Sequence, residues 1–203
     1  MTEKERNILI QSRTLIFKYG IKSLTMDDIS QRLGISKKTL YQFYENKADL
    51  ISKVVAYTIT ESQEMMESAM ARSNNAIEEL YIMYQTSTQI VKRLNPSLDF
   101  ELRKYYPESF SLLESFRNTF IYNLMVANLE KGIKDKLFRE DLSADIIGRI
   151  YTLATMEIFN AEIFPPDDYP ANHLIKELFT YHIRGIASKK GLDYLENKLK
   201  LEE

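Results

Sequence analysis

Proton transfer and metal binding need histidines, cysteines or carboxylates at set spacings, and this 203-residue sequence offers few. Its two histidines, His173 and His182, stand off the i, i+4 spacing of a helical metal pair. Cysteine is absent, and neither a glycine-rich phosphate loop nor a Gly-x-Ser-x-Gly turn occurs. The carboxylate pairs Asp27-Asp28 and Asp167-Asp168 fit a helix cap and a loop. We therefore expect no enzyme, no metal site and no cofactor. Hydrogen-bonding groups are denser in "TMDDISQRLGISKKTLYQFYENK", from Thr25 to Lys47. There a short helix carries side chains able to read base edges. Lysine reaches guanine O6 and N7, glutamine pairs with adenine, and threonine or phenylalanine touches a thymine methyl. A plain corner of two helices with a solvated lysine face is the other reading of this pattern.

Such side chains need a rigid mount, and the local pattern supplies one. Thr25, with Asp28 three places on, caps a helix whose buried stripe is Met26, Ile29 and Leu33. Ser30 is small where two helices cross. Gly34 suits a turn at positive φ, Ile35 plugs that turn, and Ser36 is an N-cap for the next helix. Leu40 and Tyr44, four apart, face inward, which leaves Lys37, Lys38, Thr39, Tyr41, Gln42 and Phe43 outward. Ahead of this stretch, a helix over 4–19 turns Ile8, Ser12, Leu15, Ile16 and Tyr19 to one face and stops at Gly20. Beyond it, apolar residues recur at three and four. They predict helices over 47–71, 75–94, 96–105, 107–131, 142–164 and 171–189, with breaks at Asn95-Pro96, Tyr106-Pro107, Gly132 and "FPPDDYP". The expected fold is all-α: a three-helix helix-turn-helix segment over 1–46, then a larger helical segment over 47–203.

Composition agrees with a globular chain, 44% hydrophobic and 28% charged. The net charge of −2 hides an asymmetry. Residues 1–50 hold nine Lys or Arg against six Asp or Glu, while the remainder holds 18 against 23. A basic end on an acidic body suits a first segment that meets a polyanion. The opening "MTEKERNILI" lacks the basic start and apolar run of a signal peptide. No apolar stretch approaches the roughly 18 residues of a membrane span. With cysteine absent, these features predict a cytoplasmic protein without a membrane partner.

The first fifty or so positions resemble the DNA-binding domain of TetR/AcrR-family transcriptional regulators. The resemblance rests on the Ile8–Leu15–Ile16–Gly20 first helix, then "LTMDDISQRLGIS", then "KKTLYQFYENKADL". It implies a sequence-specific DNA-binding regulator, a homodimeric repressor released from a palindromic double-stranded operator by a small-molecule ligand. By the same resemblance Thr25 and Lys47 hold phosphates, and Tyr41 gives its hydroxyl to another. A helix start offers free N–H groups and partial positive charge, so the first two positions make physical sense. Ser36, Lys37, Lys38, Thr39, Gln42 and Phe43 are the candidates for base edges, with phosphate contact as the other reading of the two lysines. The chain departs from the family at Gln11-Ser12, Ile16 and Tyr44, and at Gln42 and Phe43 among the base-facing positions.

Two later helices are apolar on more than one face. Ile146, Ile150 and Leu153 mark the helix over 142–164. The next carries Leu174, Leu178, Tyr181 and Gly185 on one face and Ile175, Phe179, His182 and Ile186 on another. Such helices need a partner outside their own core. The resemblance places a four-helix dimer interface here, made by Ile146, Ile150, Leu153, Leu174, Leu178, Tyr181, His182 and Gly185; burial within one subunit is the alternative. Between these regions, Met65, Tyr84, Phe100, Tyr105, Phe116 and Phe120 could line a ligand pocket, with Arg117 anchoring an anionic ligand of unknown identity. Core packing, and for Arg117 a surface salt bridge, are the bland readings. A helical DNA-binding scaffold that senses no small molecule, organising chromosome or division machinery, is the alternative function.

Overall fold

Helices in this chain begin and end where side chains satisfy free backbone groups. A computed structural model describes residues 1–92 and 94–199. Arg93, inside the helix expected over 75–94, and residues 200–203 of the expected second segment lie outside the described residues. Thr2 caps α1 (Glu3–Tyr19) by accepting from the Glu5 N–H, and Gly20 ends it at φ 81°. Thr25 and Asp28 form both halves of a capping box at α2 (Met26–Arg32). Ser36 caps α3 (Lys37–Tyr41), accepting from the Thr39 N–H. Each such cap contributes about 1 kcal/mol. Then follow α4 (Lys47–Met70), α5 (Ala76–Val91), α6 (Leu98–Tyr105) and α7 (Pro107–Phe116). A π-helical turn, Arg117–Ile121, leads into α8 (Tyr122–Lys134), and α9 (Ala144–Glu157), α10 (Ala171–Ile186) and α11 (Lys189–Tyr194) complete the set. The fold is all-α; among the described residues an isolated antiparallel bridge joins Phe138 and Ala187, and no strand forms.

The chain divides into two compact units, and not at residue 46 as the sequence suggests. The first comprises Met1–Ser62 with Arg93–Glu114, and the second Gln63–Lys92 with Ser115–Glu203. The reason is core volume. Three short helices expose too much apolar surface to close a core alone. In the first unit Ile8, Ile16, Ile29, Leu40 and Tyr44 are sealed by Leu50, Ile51, Val54 and Val55 of α4 and Leu98 of α6. Each fully buried aliphatic side chain contributes about 1.5–3 kcal/mol. In the second unit Ile77 and Leu80 of α5, Met125 and Leu129 of α8, Phe138, and Phe179 and Ile183 of α10 form a separate core.

Two expected breaks fall elsewhere. The helix expected over 107–131 is interrupted by the π-turn, and it runs on past Gly132 to Lys134. Gly132 is a packing residue there rather than a stop: a Cβ at this position would lie 2.0 Å from the Phe138 ring. The helix expected over 142–164 ends at Glu157, well before the prolines. No helix of the described residues is long and apolar enough to cross a membrane.

Candidate nucleic-acid interface

The interface is built on the turn between α2 and α3. Gly34 adopts φ 67°, in the left-handed region where a Cβ is penalised. The Ile35 N–H closes the turn by donating to the Ser30 carbonyl at 3.0 Å. Ser30 is buried at the crossing, as its small size predicts. Leu40 and Tyr44 are 0% and 1% exposed, so α3 is bolted to the core by one face and presents the other. Tyr44 burial pushes its phenol up to about 12, which keeps it neutral in the core.

On the outer face the residues differ in how free they are. Lys38 and Gln42 are exposed, and neither side chain has a partner among the described residues. Tyr41 is 44% exposed, with the Lys37 ammonium 5.9 Å from its ring centre. Lys37 is exposed but paired, at 2.7 Å, with Asp27 of α2, which holds its ammonium above the ordinary lysine value. Ser36 and Thr39 share a hydroxyl–hydroxyl bond of 2.8 Å in addition to the cap, so both are committed to the start of α3. Phe43 is a departure from expectation. It is half-buried and packs on the first unit's core, and its carbonyl accepts from Lys53. The chain turns after Gln42, carrying Phe43 from the exposed face toward Tyr44, with ring centres 6.5 Å apart.

Thr25 and Lys47 flank this face, each at a helix start. The Thr25 hydroxyl donates to Asp28 and accepts from its N–H, and these bonds hold the Asp28 carboxyl below the usual carboxylate range. Lys47 is half-buried; its ammonium donates to the Ile21 carbonyl at 2.7 Å, and burial lowers its pKa. An ammonium has three donors, so one bond to Ile21 aims Lys47 and leaves others for a phosphate.

This geometry joins a set of matches to known proteins. Residues 8–54 fit the family described as bacterial regulatory proteins, tetR family. Over 190 residues the chain is 24% identical to the HTH-type transcriptional regulator YvaF of Bacillus subtilis, covering 93% of this chain and 98% of that one. It is 23% identical over 149 residues to the HTH-type transcriptional repressor KstR2 of Mycolicibacterium smegmatis, 71% of this chain and 72% of that one. A TetR-family transcriptional regulator from Agrobacterium tumefaciens superposes with a TM-score of 0.72 at 19% identity, covering 91% of this chain and 98% of the other. Residues 8–54 thus match the DNA-binding domain of the tetR family, and the chain as a whole is similar to TetR-family transcriptional regulators. Its relatives are DNA-binding regulators and not enzymes.

One positioning residue carries no mark in the sequence. Glu101 of α6 is 8% exposed, and its carboxylate accepts from the Ile21 N–H at 2.6 Å and the Lys22 N–H at 3.0 Å. Ser97 donates to its other oxygen at 3.0 Å. The turn between α1 and α2 is thus gripped from both sides, by Glu101 on its N–H groups and by Lys47 on its carbonyl. No local signal marks a partner 80 residues away. The one available hint was a lone acid at a helical position otherwise facing a core.

Elsewhere in the chain, the residues expected at a pocket are dispersed. Phe100 and Tyr105 belong to the first unit and are 42% and 44% exposed, and Met65 of the second unit is 41% exposed. The spacing that suggested them is that of helix faces turned to solvent. Phe116 and Phe120 stack on each other at 5.4 Å beside Arg117 in the π-turn. Tyr84 stacks on Phe179 at 4.6 Å and lines a cleft of about 260 Å³ between α5 and α10, with Tyr81, Thr88, Lys92 and Lys176.

The residues expected at a dimer interface separate into two groups. Ile146, Ile150, Leu153 and Tyr181 are 56%, 55%, 60% and 81% exposed, Leu174 and Leu178 are half-buried beside them, and nothing lies within 4 Å of a Cβ at Gly185. His182 is a correction. It is buried against Tyr151, ring centres 4.4 Å apart, because it follows Ile175 and Phe179 on the inward face of α10. Burial lowers its pKa to about 4 and raises that of Tyr151 to about 12.

Proposed function

We propose that this TetR-family regulator is a homodimeric repressor that grips a palindromic operator through α3 and is released when a small molecule binds its larger unit. The observation that carries the reading is the free, outward pair Lys38 and Gln42 on a helix fixed from behind by Leu40 and Tyr44. Lys38, Gln42 and Lys37 read base edges, while Tyr41, Thr25 and Lys47 hold phosphates. Ser36 and Thr39 act through their cap, and Phe43 acts at most by its edge. The dimer is supported by the exposed stripe Ile146, Ile150, Leu153 on α9 beside Tyr181 on α10. Three large apolar residues on one face of a helix cost too much hydration to be left open. Two-fold symmetry then sets half-sites about 34–36 Å apart, or a multiple of that. KstR2 of M. smegmatis, one of the relatives, is a repressor, which supports that sign of regulation.

The candidate sensor site is the α5–α10 cleft, where Lys92 and Lys176 flank the Tyr84–Phe179 stack and suit a small anionic ligand. Such a ligand acts only by binding the DNA-free form better, with a coupling of about 1–3 kcal/mol. The alternative, a DNA-binding helical protein that senses no small molecule, is favoured by the exposure of Met65, Phe100 and Tyr105. Selection of duplexes from random DNA decides the main reading: a single strong palindrome is expected, and sequence-indifferent binding overturns it. Operator affinity titrated with aromatic and aliphatic carboxylates then separates sensor from scaffold.

A further inference from the structure

Four cations on the first unit gather on two tyrosine rings. The Lys18 ammonium lies 5.2 Å from the Tyr19 ring centre and the Arg32 guanidinium 4.6 Å. Lys22 and Lys104 lie 5.6 and 5.5 Å from the Tyr105 ring centre, and Lys104 is also 5.2 Å from that of Phe100. All four cations are exposed, and among the described residues none forms an ion pair. The acids close by are already committed. Glu101 is buried on the Ile21 and Lys22 N–H groups, Asp28 is bonded to Thr25, and Asp99 pairs with Arg103. The local field is positive enough to hold the Tyr19 phenol below its ordinary value, chiefly through Lys18 and then Arg32.

The Tyr105 half of the patch adjoins the proposed DNA interface. Lys22 follows Ile21, whose carbonyl holds the Lys47 ammonium, and it precedes the Thr25 cap by three residues. Lys104 is the chain neighbour of Tyr105, and Lys22, from a distant part of the chain, reaches the same ring because its N–H donates to Glu101, one turn earlier on α6. An ammonium resting on a ring face keeps donors free on its outer side. Exposed cations beside a DNA-reading helix, without acidic partners, match the phosphodiester backbone in charge and in donor chemistry.

We infer that Lys22 and Lys104 form a second phosphate-binding strip that extends the DNA interface from the helix-turn-helix onto α6 and takes the phosphodiesters flanking each half-site. The inference rests on the DNA-binding reading above. Its test uses the full-length protein and the duplex that the wild type selects from random DNA, in a long form with flanks and a short form trimmed to the half-sites. Affinity is measured by fluorescence anisotropy across a salt series. In K22A/K104A, the slope of log K against log salt on the long duplex is expected to fall by about 0.9 for each phosphate no longer neutralised. Base preference stays as in the wild type, and the short duplex shows no change. Lys104→Arg retains the wild-type slope, and Lys134→Ala in the second unit, which removes the same charge, leaves the slope alone. A slope equal to wild type on both duplexes overturns the strip while leaving the operator reading intact, and returns the patch to an acidic protein partner. A wild type that selects no duplex overturns both.

Discussion

Lys38 tests the proposed reading of DNA in the simplest form, because nothing inside the protein uses it. Its exposed ammonium can be removed without unpairing a neighbour, so Lys38→Ala is expected to leave the melting temperature unchanged and weaken operator binding roughly tenfold to hundredfold, about 1–3 kcal/mol. Anisotropy with the selected operator checks this, and unchanged affinity would move base reading off α3. Lys37 behaves differently: its pairing with Asp27 means that Lys37→Ala also frees a carboxylate near the DNA. At the opposite end of the chain, His182 makes stability depend on pH. Its folded pKa of about 4 lies below the ordinary 6.5, so between these values the unfolded chain binds the extra proton. Stability is therefore full above pH 6.5 and declines as pH falls toward 4, by roughly 3 kcal/mol for this group. Urea unfolding at pH 7 and 4.5 reads the loss, and His182→Phe is expected to shrink the gap between the two curves.

Elements show which features were local. Thr25 with Asp28, Ser36 with Thr39, Gly20 and Gly34 each act within a few residues, and the helices they bound are the ones the sequence places well. Gly132 was misread because a glycine that ends a helix and one that admits an aromatic ring look alike until Phe138 is placed. Gly132→Ala is expected to destabilise the second unit by at least the 1–3 kcal/mol of an overpacked core, seen as a lower urea midpoint. The π-turn at Arg117–Ile121 has no sequence mark either, since its residues are ordinary helix formers. Glu101 was invisible for a third reason: its carboxylate serves backbone N–H groups, and those carry no side-chain identity. For the pocket, aromatic spacing reports only that a residue lies on a helix face; whether that face meets solvent, as for Phe100 and Tyr105, is decided by the tertiary packing.

At the scale of the whole molecule, the proposed function depends on two copies. The double substitution Ile150→Asp with Leu153→Asp puts charges on an exposed face, so the folded chain is expected to persist while sedimentation shows a monomer. Operator affinity then drops to that of a single half-site. A dimer surviving these changes would place the interface elsewhere. The division of the chain has a practical side as well. Because α4 and α6 seal the core around α1, α2 and α3, a fragment of residues 1–46 is expected to show little helix by circular dichroism. A span reaching residue 114 holds every piece of that core. The part proposed to read DNA is therefore not a cassette that can be cut and grafted at a single joint. Any chimera meant to give it a new sensor must accept three crossings of the chain, and the donor must return a helix bearing an acid where Glu101 now stands.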